Sequence, residues 1–399
     1  MNVIFISPHF PRHFYNFCER LKARGVTVLG IGDTPWESIG PDCQKSLSDY
    51  RYVHSLQDYD TVYRTVADYI FHYGRIDFVE SENEYWLELD ARIRSDFNIC
   101  TGPKLEMMAD MNHKSRMKAS YERAGIPTAR WTLPQTLQEA QVFAENVGYP
   151  VIVKPDKGVG AVSTYKLHNT EELSAFWAER DPNIQFIEEE LVPGHVETFD
   201  GITDSHKNVL FCASQALPGS LMDAVNRDED VVSYCQAPGE DLAAAGRKLL
   251  QEFDTRNKFF HFEFFRLDED KEGLGKKGDI VGLEVNMRAP GGRIPDKMNY
   301  AYDTDVYTIW ADSLIHDRCF MNSEFRHYIT HVGRKNSIAY AHTLDEIRSQ
   351  LGNAIIEDFD VDLVLAAEMG NHAFLLRAET TEERDGQVSF ILQRKKTEE

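Results

Sequence analysis

Two periods of apolar residues run along the chain. Short, mostly apolar runs at residues 2–7, 26–31 and 76–80 alternate with amphipathic stretches of helical period at 14–24, 55–73 and 85–94. Gly25 and Gly74 close the first two of these helices, as the residue that best tolerates a left-handed C-terminal turn. Strands alternating with helices predict an α/β, doubly wound domain with a parallel sheet over residues 1–103. A long helical pattern then fills 104–124, ending at Gly125 with Pro127 beyond it, and another fills 134–147, ending at Gly148. Residues 149–155 read as a buried strand, 169–180 as a helix capped by Asn169 or Thr170, and 185–187 as a strand. From 191 onwards the pattern is α+β. Residues 196–202 and 209–214 alternate as an antiparallel pair, 239–253 is a long helix, and late strands are expected at 337–341 and 373–379. Three units are predicted, 1–103, 104–190 and 191–399, packed as one body because no repeat or flexible linker separates them. The charged tail from Arg394 is expected to fray.

Residues 259–292 carry the most chemistry. Phe262-Glu263-Phe264-Phe265-Arg266 and Val281-Gly282-Leu283-Glu284-Val285-Asn286-Met287-Arg288 each alternate like a strand with one buried face. Residues 268–278 between them are charged and glycine-bearing, as a hairpin loop is. Glu284, Asn286 and Arg288 stand two apart, so their side chains leave one face about 6–7 Å from one another. Glu263 has only aromatic neighbours, and a carboxylate there needs a partner or a metal. Folding the hairpin brings Glu263 towards Glu284 and Asn286. Two carboxylates and an amide oxygen make a hard site suited to Mg²⁺. A strand whose polar residues face water would alternate in the same way; the other motifs favour the metal. His261 is expected to face away from Glu263, as a satisfied core histidine.

Lys154 lies in the buried strand Tyr149-Pro150-Val151-Ile152-Val153-Lys154-Pro155. A buried ammonium calls for an anion, and a phosphate is preferred to a lysine that reaches back to solvent. Residues 156–164 follow, with Gly158 and Gly160 among small residues that let backbone N–H groups cradle phosphate oxygens. Ile187, Leu191 and the backbone between them suit the edge of an adenine. The first turn, Ser7-Pro8-His9-Phe10-Pro11, lacks the glycines of a dinucleotide fingerprint. Glu80, Glu82 and Glu84 crowd the end of the third strand, where α/β sheets place ligands, but a solvated acidic turn is the preferred reading. Residues 219–230, polar and acidic, are a candidate lid or acceptor loop.

Charge narrows the partners. Lys and Arg number 43 against 65 Asp and Glu, a formal charge of −22. This argues against nucleic acid and anionic membranes, so nucleotide binding would rest on a local cluster of Lys, Arg and metal. No apolar run approaches the ~20 residues of a membrane span, and residues 3–6 are too short for a signal-peptide core. Six scattered cysteines without a Cys-x-x-Cys pair read as free thiols of a reducing compartment, and a cytoplasmic location is expected.

With these motifs in order, the chain resembles the ATP-grasp superfamily, which includes biotin carboxylase, the carbamoyl-phosphate synthetase large chain and the L-amino-acid ligases. The marks are Lys114 eleven residues before Gly125-Ile126-Pro127, the Lys154 strand, the glycine loop 156–164, the hinge 188–191, and Glu263 with Glu284-x-Asn286-x-Arg288. The resemblance implies an ATP-grasp fold whose two α+β subdomains clasp ATP behind the N-terminal domain. It implies that Lys114 and Lys154 hold ATP phosphates, that Gly158, Gly160 and Ala161 close over them, that Glu188, Glu189 and Leu191 read adenine, and that Glu197 meets the ribose. Glu263, Glu284 and Asn286 would hold one or two Mg²⁺, with Mn²⁺ as an alternative. Arg288 would stabilise the transferring phosphoryl group and an acyl-phosphate, and Gly291 and Gly292 would admit a second substrate. Arg293 would bind a substrate carboxylate, with a pair to Asp296 equally open. The implied activity is an ATP- and Mg²⁺-dependent carboxylate–amine ligase acting on small molecules, an amino acid among them, with a homodimer left open. Activation of bicarbonate, a kinase reaction and a non-catalytic ATP-binding module stand as alternatives. The complete Glu263, Glu284, Asn286, Arg288 set argues against the last.

Overall fold

The computed structural model describes residues 1–158, 164–219 and 228–395. Gly160, Ala161 and most of the 219–230 lid candidate lie outside the described residues.

β1 (Asn2–Ile6), β2 (Thr27–Gly32), β3 (Asp49–Tyr52) and β4 (Phe78–Glu80) form a parallel sheet in the order β3-β2-β1-β4. The connecting helices are α1 (Tyr15–Ala23), α2 (Pro41–Ser46), α3 (Tyr59–Tyr73) and α4 (Leu87–Asp96). α3 starts later than the apolar period suggests because the Asp58 side chain caps it, accepting from the Thr61 N–H. Strand order reverses about β1, which opens a crevice beyond the carboxyl ends of β1 and β4. Two buried non-glycine residues there are left-handed, Ser7 (φ 53°) after β1 and Glu82 (φ 51°) after β4, a conformation retained where surrounding structure enforces it.

The helix expected over 104–124 is two helices, α5 (Met108–Asn112) and α6 (Lys114–Arg123), broken at His113 (φ −112°, ψ 120°). The break has a physical cause. His113 bridges to Lys157, the Lys114 N–H donates to the Asp156 carbonyl (2.9 Å), and the Asp156 carboxylate accepts from the Ser115 N–H (2.8 Å) and hydroxyl (2.9 Å). Asp156 thus satisfies the orphan donors of the α6 N-terminus and ties Lys114 to the strand that carries Lys154.

The second sheet is antiparallel, in the order β5-β8-β6-β7: β5 (Trp131–Thr132), β6 (Val151–Pro155), β7 (Tyr165–Leu167) and β8 (Phe186–Glu190). One face packs on α7 (Leu137–Val147) and α8 (Thr170–Glu179) through Val151, Val153, Phe186, Ala140 and Leu173.

The third sheet holds eight antiparallel strands: β9 (Gly194–Thr203), β10 (Val209–Leu217), β11 (Val231–Gln236), β12 (Phe259–Leu267), β13 (Ile280–Asn286), β14 (Tyr328–Arg334), β15 (Ile355–Asp360) and β16 (His372–Ala378). Their order is β13-β12-β9-β10-β11-β14-β16-β15. α9 (Glu240–Leu250) and α6 cover one face over Phe199, Phe260, Phe262 and Phe264. α10 (Ile294–Tyr302) and α11 (Val306–His316) cover part of the other, over Ile202, Ala213 and Phe259. This core continues into the parallel sheet: the ring of Phe17 on α1 lies 4.8 Å from Tyr307 and 5.1 Å from Trp310. Each such buried side chain contributes about 1.5–3 kcal/mol of burial.

Residues 337–341 do not form the expected strand; the strand is β14, whose buried Thr330 and His331 disguise it in the sequence. Of the tail expected to fray, Arg394 is held, bridging Tyr340 and pairing with Asp230 at 2.8 Å, and residues 396–399 lie outside the described residues. The remaining helices are α12 (Leu344–Leu351), α13 (Ala366–Met369) and α14 (Thr381–Leu392). Among the described residues no helix is long and apolar enough to cross a membrane.

Candidate active site

The hairpin of β12 and β13 pairs Glu263 with Glu284 and His261 with Asn286. On its other side β12 pairs His261 with Asp200 and Glu263 with Thr198 of β9. A bulge directly after Glu263 interrupts the ladder, and the Tyr121 hydroxyl of α6 lies there, 3.0 Å from the Glu263 carbonyl and 2.8 Å from that of Glu284. The ring reaches this point because residue 282 is glycine: a Cβ there would stand 2.3 Å from Tyr121 Cδ1. One fully buried tyrosine therefore holds the two carboxylate-bearing strands at a fixed spacing.

These side chains open on a cavity of about 500 Å³ between the second and third sheets. Glu263, Glu284, Asn286 and Arg288 form one wall, Lys114 and Lys154 another, and Ile152, Leu191 and Phe265 add apolar surface. A second cavity of about 510 Å³, beside α8, is lined by none of these residues.

Each buried ion in the first cavity has its own balance. Burial raises the Glu284 carboxyl, Glu263 and Glu84 raise it further, and Lys114, 4.0 Å away, opposes them. Burial would also raise Glu263, but the hydrogen bond and charge of His261 bring it below the usual range. His261 donates to Asp200 at 2.6 Å and to Glu263 at 3.1 Å. Although burial disfavours its charged form, these two carboxylates raise it to about 9. Glu189 sits 2.9 Å from both Lys118 and Lys154; burial would raise it, and the two ammonium groups instead bring it down to about 2. Arg288 pairs with Glu84.

The facing carboxylates fit a divalent cation. Their mutual repulsion, seen in the raised Glu284, is what such an ion would relieve. Among the described residues no three His, Cys, Asp or Glu side chains are grouped to hold a metal. Two carboxylates and Asn286 leave positions for water and substrate oxygens, the arrangement that suits Mg²⁺.

A family model described as the carbamoyl-phosphate synthase L chain, ATP binding domain, matches residues 113–255. An L-arginine-specific L-amino acid ligase of Bacillus subtilis is 22% identical over 268 residues, covering 64% of this chain and 60% of that protein. The chain thus spans about 60% of that relative's length. The crystal structure of an L-amino acid ligase from Bacillus licheniformis superposes with a TM-score of 0.70 at 13% identity, over 97% of this chain and 95% of that one. The chain has the ATP-grasp fold. The biotin carboxylase domain dimer of the 2-oxoglutarate carboxylase of Hydrogenobacter thermophilus, in complex with MgADP, ADP and bicarbonate, superposes on this chain with a TM-score of 0.66 at 16% identity, over 94% of this chain and 86% of that one.

Within the ATP-grasp frame, the structure gathers some of the expected residues and sets others apart. Lys114, Lys154, Glu189, Leu191, Glu263, Glu284, Asn286 and Arg288 line one cavity, and the Lys114 ammonium donates to the Gly158 carbonyl at 3.1 Å. Glu188 does not reach it. Strand alternation turns its side chain, with those of Val153 and Phe186, to the helix-covered face, where both carboxyl oxygens lack a partner among the described residues. Glu197 is also turned away; it lies beside Phe264 in the ladder and pairs with Arg266 at 2.7 Å. Its neighbours Val196 and Thr198 line the cavity instead. Gly291 and Gly292 are not among the lining residues; nothing lies within 4 Å of a Cβ on Gly291, and Gly292 serves a left-handed turn (φ 58°). Arg293 is engaged by Asp296 (3.2 Å) and Glu357 rather than open to a ligand.

Other residues depart from the sequence reading in the other direction. His261 faces the same side as Glu263, because residues two apart on a strand share a face. The acidic turn is not solvated: Glu80 and Glu82 are each 1% exposed. Glu80 pairs with Arg94 (3.0 Å) and Lys258, Glu82 accepts the Ala289 N–H at 2.7 Å, and Glu84 lines the cavity. Lys118 and Asp200 were not singled out in the sequence. Lys118 is four residues after Lys114, one helical turn, which is the only signal it carries.

Proposed function

We propose that this chain is an ATP- and Mg²⁺-dependent ligase that activates a small carboxylate, of the amino-acid class, and joins it to an amine with release of ADP and phosphate. The observation that carries the reading is the placement of Glu263 directly opposite Glu284 on a cavity wall that faces Lys114 and Lys154. Such a wall binds a polyphosphate and its counter-ion. The amino-acid ligases among the similar proteins support the substrate class.

Lys114 and Lys154 bind the phosphates, and Ile152 and Leu191 offer apolar surface to the base. A Mg²⁺ ion held by Glu263, Glu284 and Asn286 supplies charge neutralisation on the phosphates when bound. The substrate carboxylate oxygen attacks the γ-phosphorus, the bond to the β–γ bridging oxygen breaks, and ADP leaves with that electron pair. Arg288 lies where the spreading negative charge is stabilised. The walls exclude water from the acyl-phosphate until an amine attacks its carbonyl carbon and expels phosphate.

The test is Mg²⁺-dependent ADP formation with hydroxylamine, which traps an acyl-phosphate as a hydroxamate, across single L-amino acids and small carboxylates. Glu284→Gln is expected to lower turnover by at least about 100-fold with an unchanged circular dichroism spectrum. Undiminished turnover in that variant, or ADP formation from no acid at all, refutes the reading.

A further inference from the structure

The polar side chains on the cavity face of the large sheet continue beyond the paired carboxylates. From β12 through β9, β10 and β11 to β14, the side chains on that face include His261, Asp200, Gln215, Ser233 and His331. α10 lies over this row and lowers Lys297 into it, 1% exposed, with its ammonium 2.7 Å from the Ser233 hydroxyl. The row begins at the cavity wall: Thr198, hydrogen-bonded to Asp200 at 2.6 Å, and Ile294, one turn before Lys297, both line the cavity.

Lys297 is unlike the other buried lysines. Lys114, Lys118, Lys154, Lys258 and Lys335 each have a carboxylate oxygen within 4.0 Å, whereas Lys297 has none among the described residues. The surrounding cations are committed elsewhere, His261 between Asp200 and Glu263, Arg288 to Glu84, and Arg293 to Asp296 and Glu357. Among the described residues the fully buried Gln215 amide meets no polar group besides the Cys235 thiol, and His331 Nδ1 has no partner. Burial brings the Lys297 ammonium down to about 8, with Cys235 and Asp200 offsetting only part of the loss. A buried cation with one neutral acceptor, beside an amide met only by a thiol, is costly unless something completes the set.

We propose that the Lys297 ammonium, with the Ser233 hydroxyl and the Gln215 amide, receives a second carboxylate of the acid substrate, which makes the preferred substrate a dicarboxylate such as an acidic amino acid. The proposal rests on the ligase reading and names its substrate class. The carboxylate to be activated meets the γ-phosphate, and the second one completes the polar row. A neutral amide of the same shape leaves the ammonium unpaired, a mismatch that buried polar sites reject strongly.

The test measures hydroxamate formation with L-aspartate, L-glutamate and succinate against L-asparagine and L-glutamine. In the full-length protein the acidic compounds are expected to exceed their amides by about 100-fold in kcat/KM. Lys297→Met is expected to reduce that ratio to within a few-fold of one, with ADP binding by calorimetry as the check that the variant is folded. If the variant does not bind ADP, the acid-to-amide ratio of the native protein decides alone. Turnover of a neutral acid with no preference for the acidic compounds overturns the proposal and leaves the ligase reading standing. A preference that survives Lys297→Met in a folded variant also overturns it. No hydroxamate from any acid removes the ligase reading and this proposal together.

Discussion

Glu188 offers a sharp test of how strand alternation sorts charge in this fold. Its side chain is fully buried beside Val153 and Phe186, with no partner for either oxygen among the described residues. Burial alone lifts its carboxyl from 4.5 to about 8. In the unfolded chain the group ionises above its ordinary value, whereas in the folded protein it keeps its proton until about pH 8. The folded state therefore binds the extra proton throughout this window, and stability falls as pH rises. Each pH unit is worth about 1.36 kcal/mol, so between pH 5 and pH 7.5 this residue removes about 3 kcal/mol. Below the unfolded value both states are protonated and the effect vanishes; above about 8 both are ionised and it levels off. Glu188→Gln keeps the shape and removes the titration. Urea unfolding of native and variant proteins at pH 5 and 7.5, followed by fluorescence of Trp131 on β5 and Trp177 on α8, reads the difference in the same four-stranded unit. The native protein is expected to lose about 3 kcal/mol more than Glu188→Gln over that interval. Equal losses would show that the carboxyl is solvated or paired, and would refute the reasoning.

Two further outcomes follow from the same geometry. Glu189→Gln leaves Lys118 and Lys154 buried without their shared counter-ion and is expected to cost about 3–5 kcal/mol in chemical denaturation, part of it recovered when Lys118→Met is added; a single-variant loss below about 1 kcal/mol, the scale of an exposed pair, contradicts the assignment. Gly282→Ala places a methyl group 2.3 Å from Tyr121 Cδ1, and the overpacking is expected to cost about 1–3 kcal/mol and to lower kcat/KM by displacing Glu263 and Glu284, which a melting curve and steady-state kinetics together resolve.

How far this site is legible in the sequence depends on the period of each element. The hairpin was legible because Glu284, Asn286 and Arg288 repeat every second residue and so share a face. The same rule separates Glu188, Glu189 and Glu190. Glu189 meets two lysines on the cavity side, while Glu190 turns to the other face and is held by Arg130 at 2.7 Å. Three adjacent glutamates read as one hinge motif unless the alternation is followed residue by residue. His261 shows the same point, since its spacing from Glu263 already places both on one face. The fate of Glu82 and Glu84 was less accessible. Their partners, the Ala289 N–H and Arg288, lie more than 200 residues further along the chain, and no local pattern reports a contact made by the packing of two sheets. The break at His113 belongs to this class, being set by Asp156 just after β6.

The pairing of cations and carboxylates explains how so charged a cavity is tolerated in a folded chain. Lys114 faces Glu284, Lys154 and Lys118 share Glu189, Arg288 holds Glu84, and His261 bridges Asp200 to Glu263. Most of these pairs join different elements: α6 with β13, the second sheet with α6, β12 with β9, and the segment after β13 with the turn after β4. Charge compensation is thus also tertiary attachment, and the same side chains that form the cavity fix the three sheets to one another. Breaking such a pair leaves a buried ion uncompensated, which costs far more than losing an exposed one. Lys297 stands outside this scheme. It is as buried as Lys118 or Lys258, yet its ammonium meets a single hydroxyl, so its retention is not accounted for by the internal pairing that explains the others.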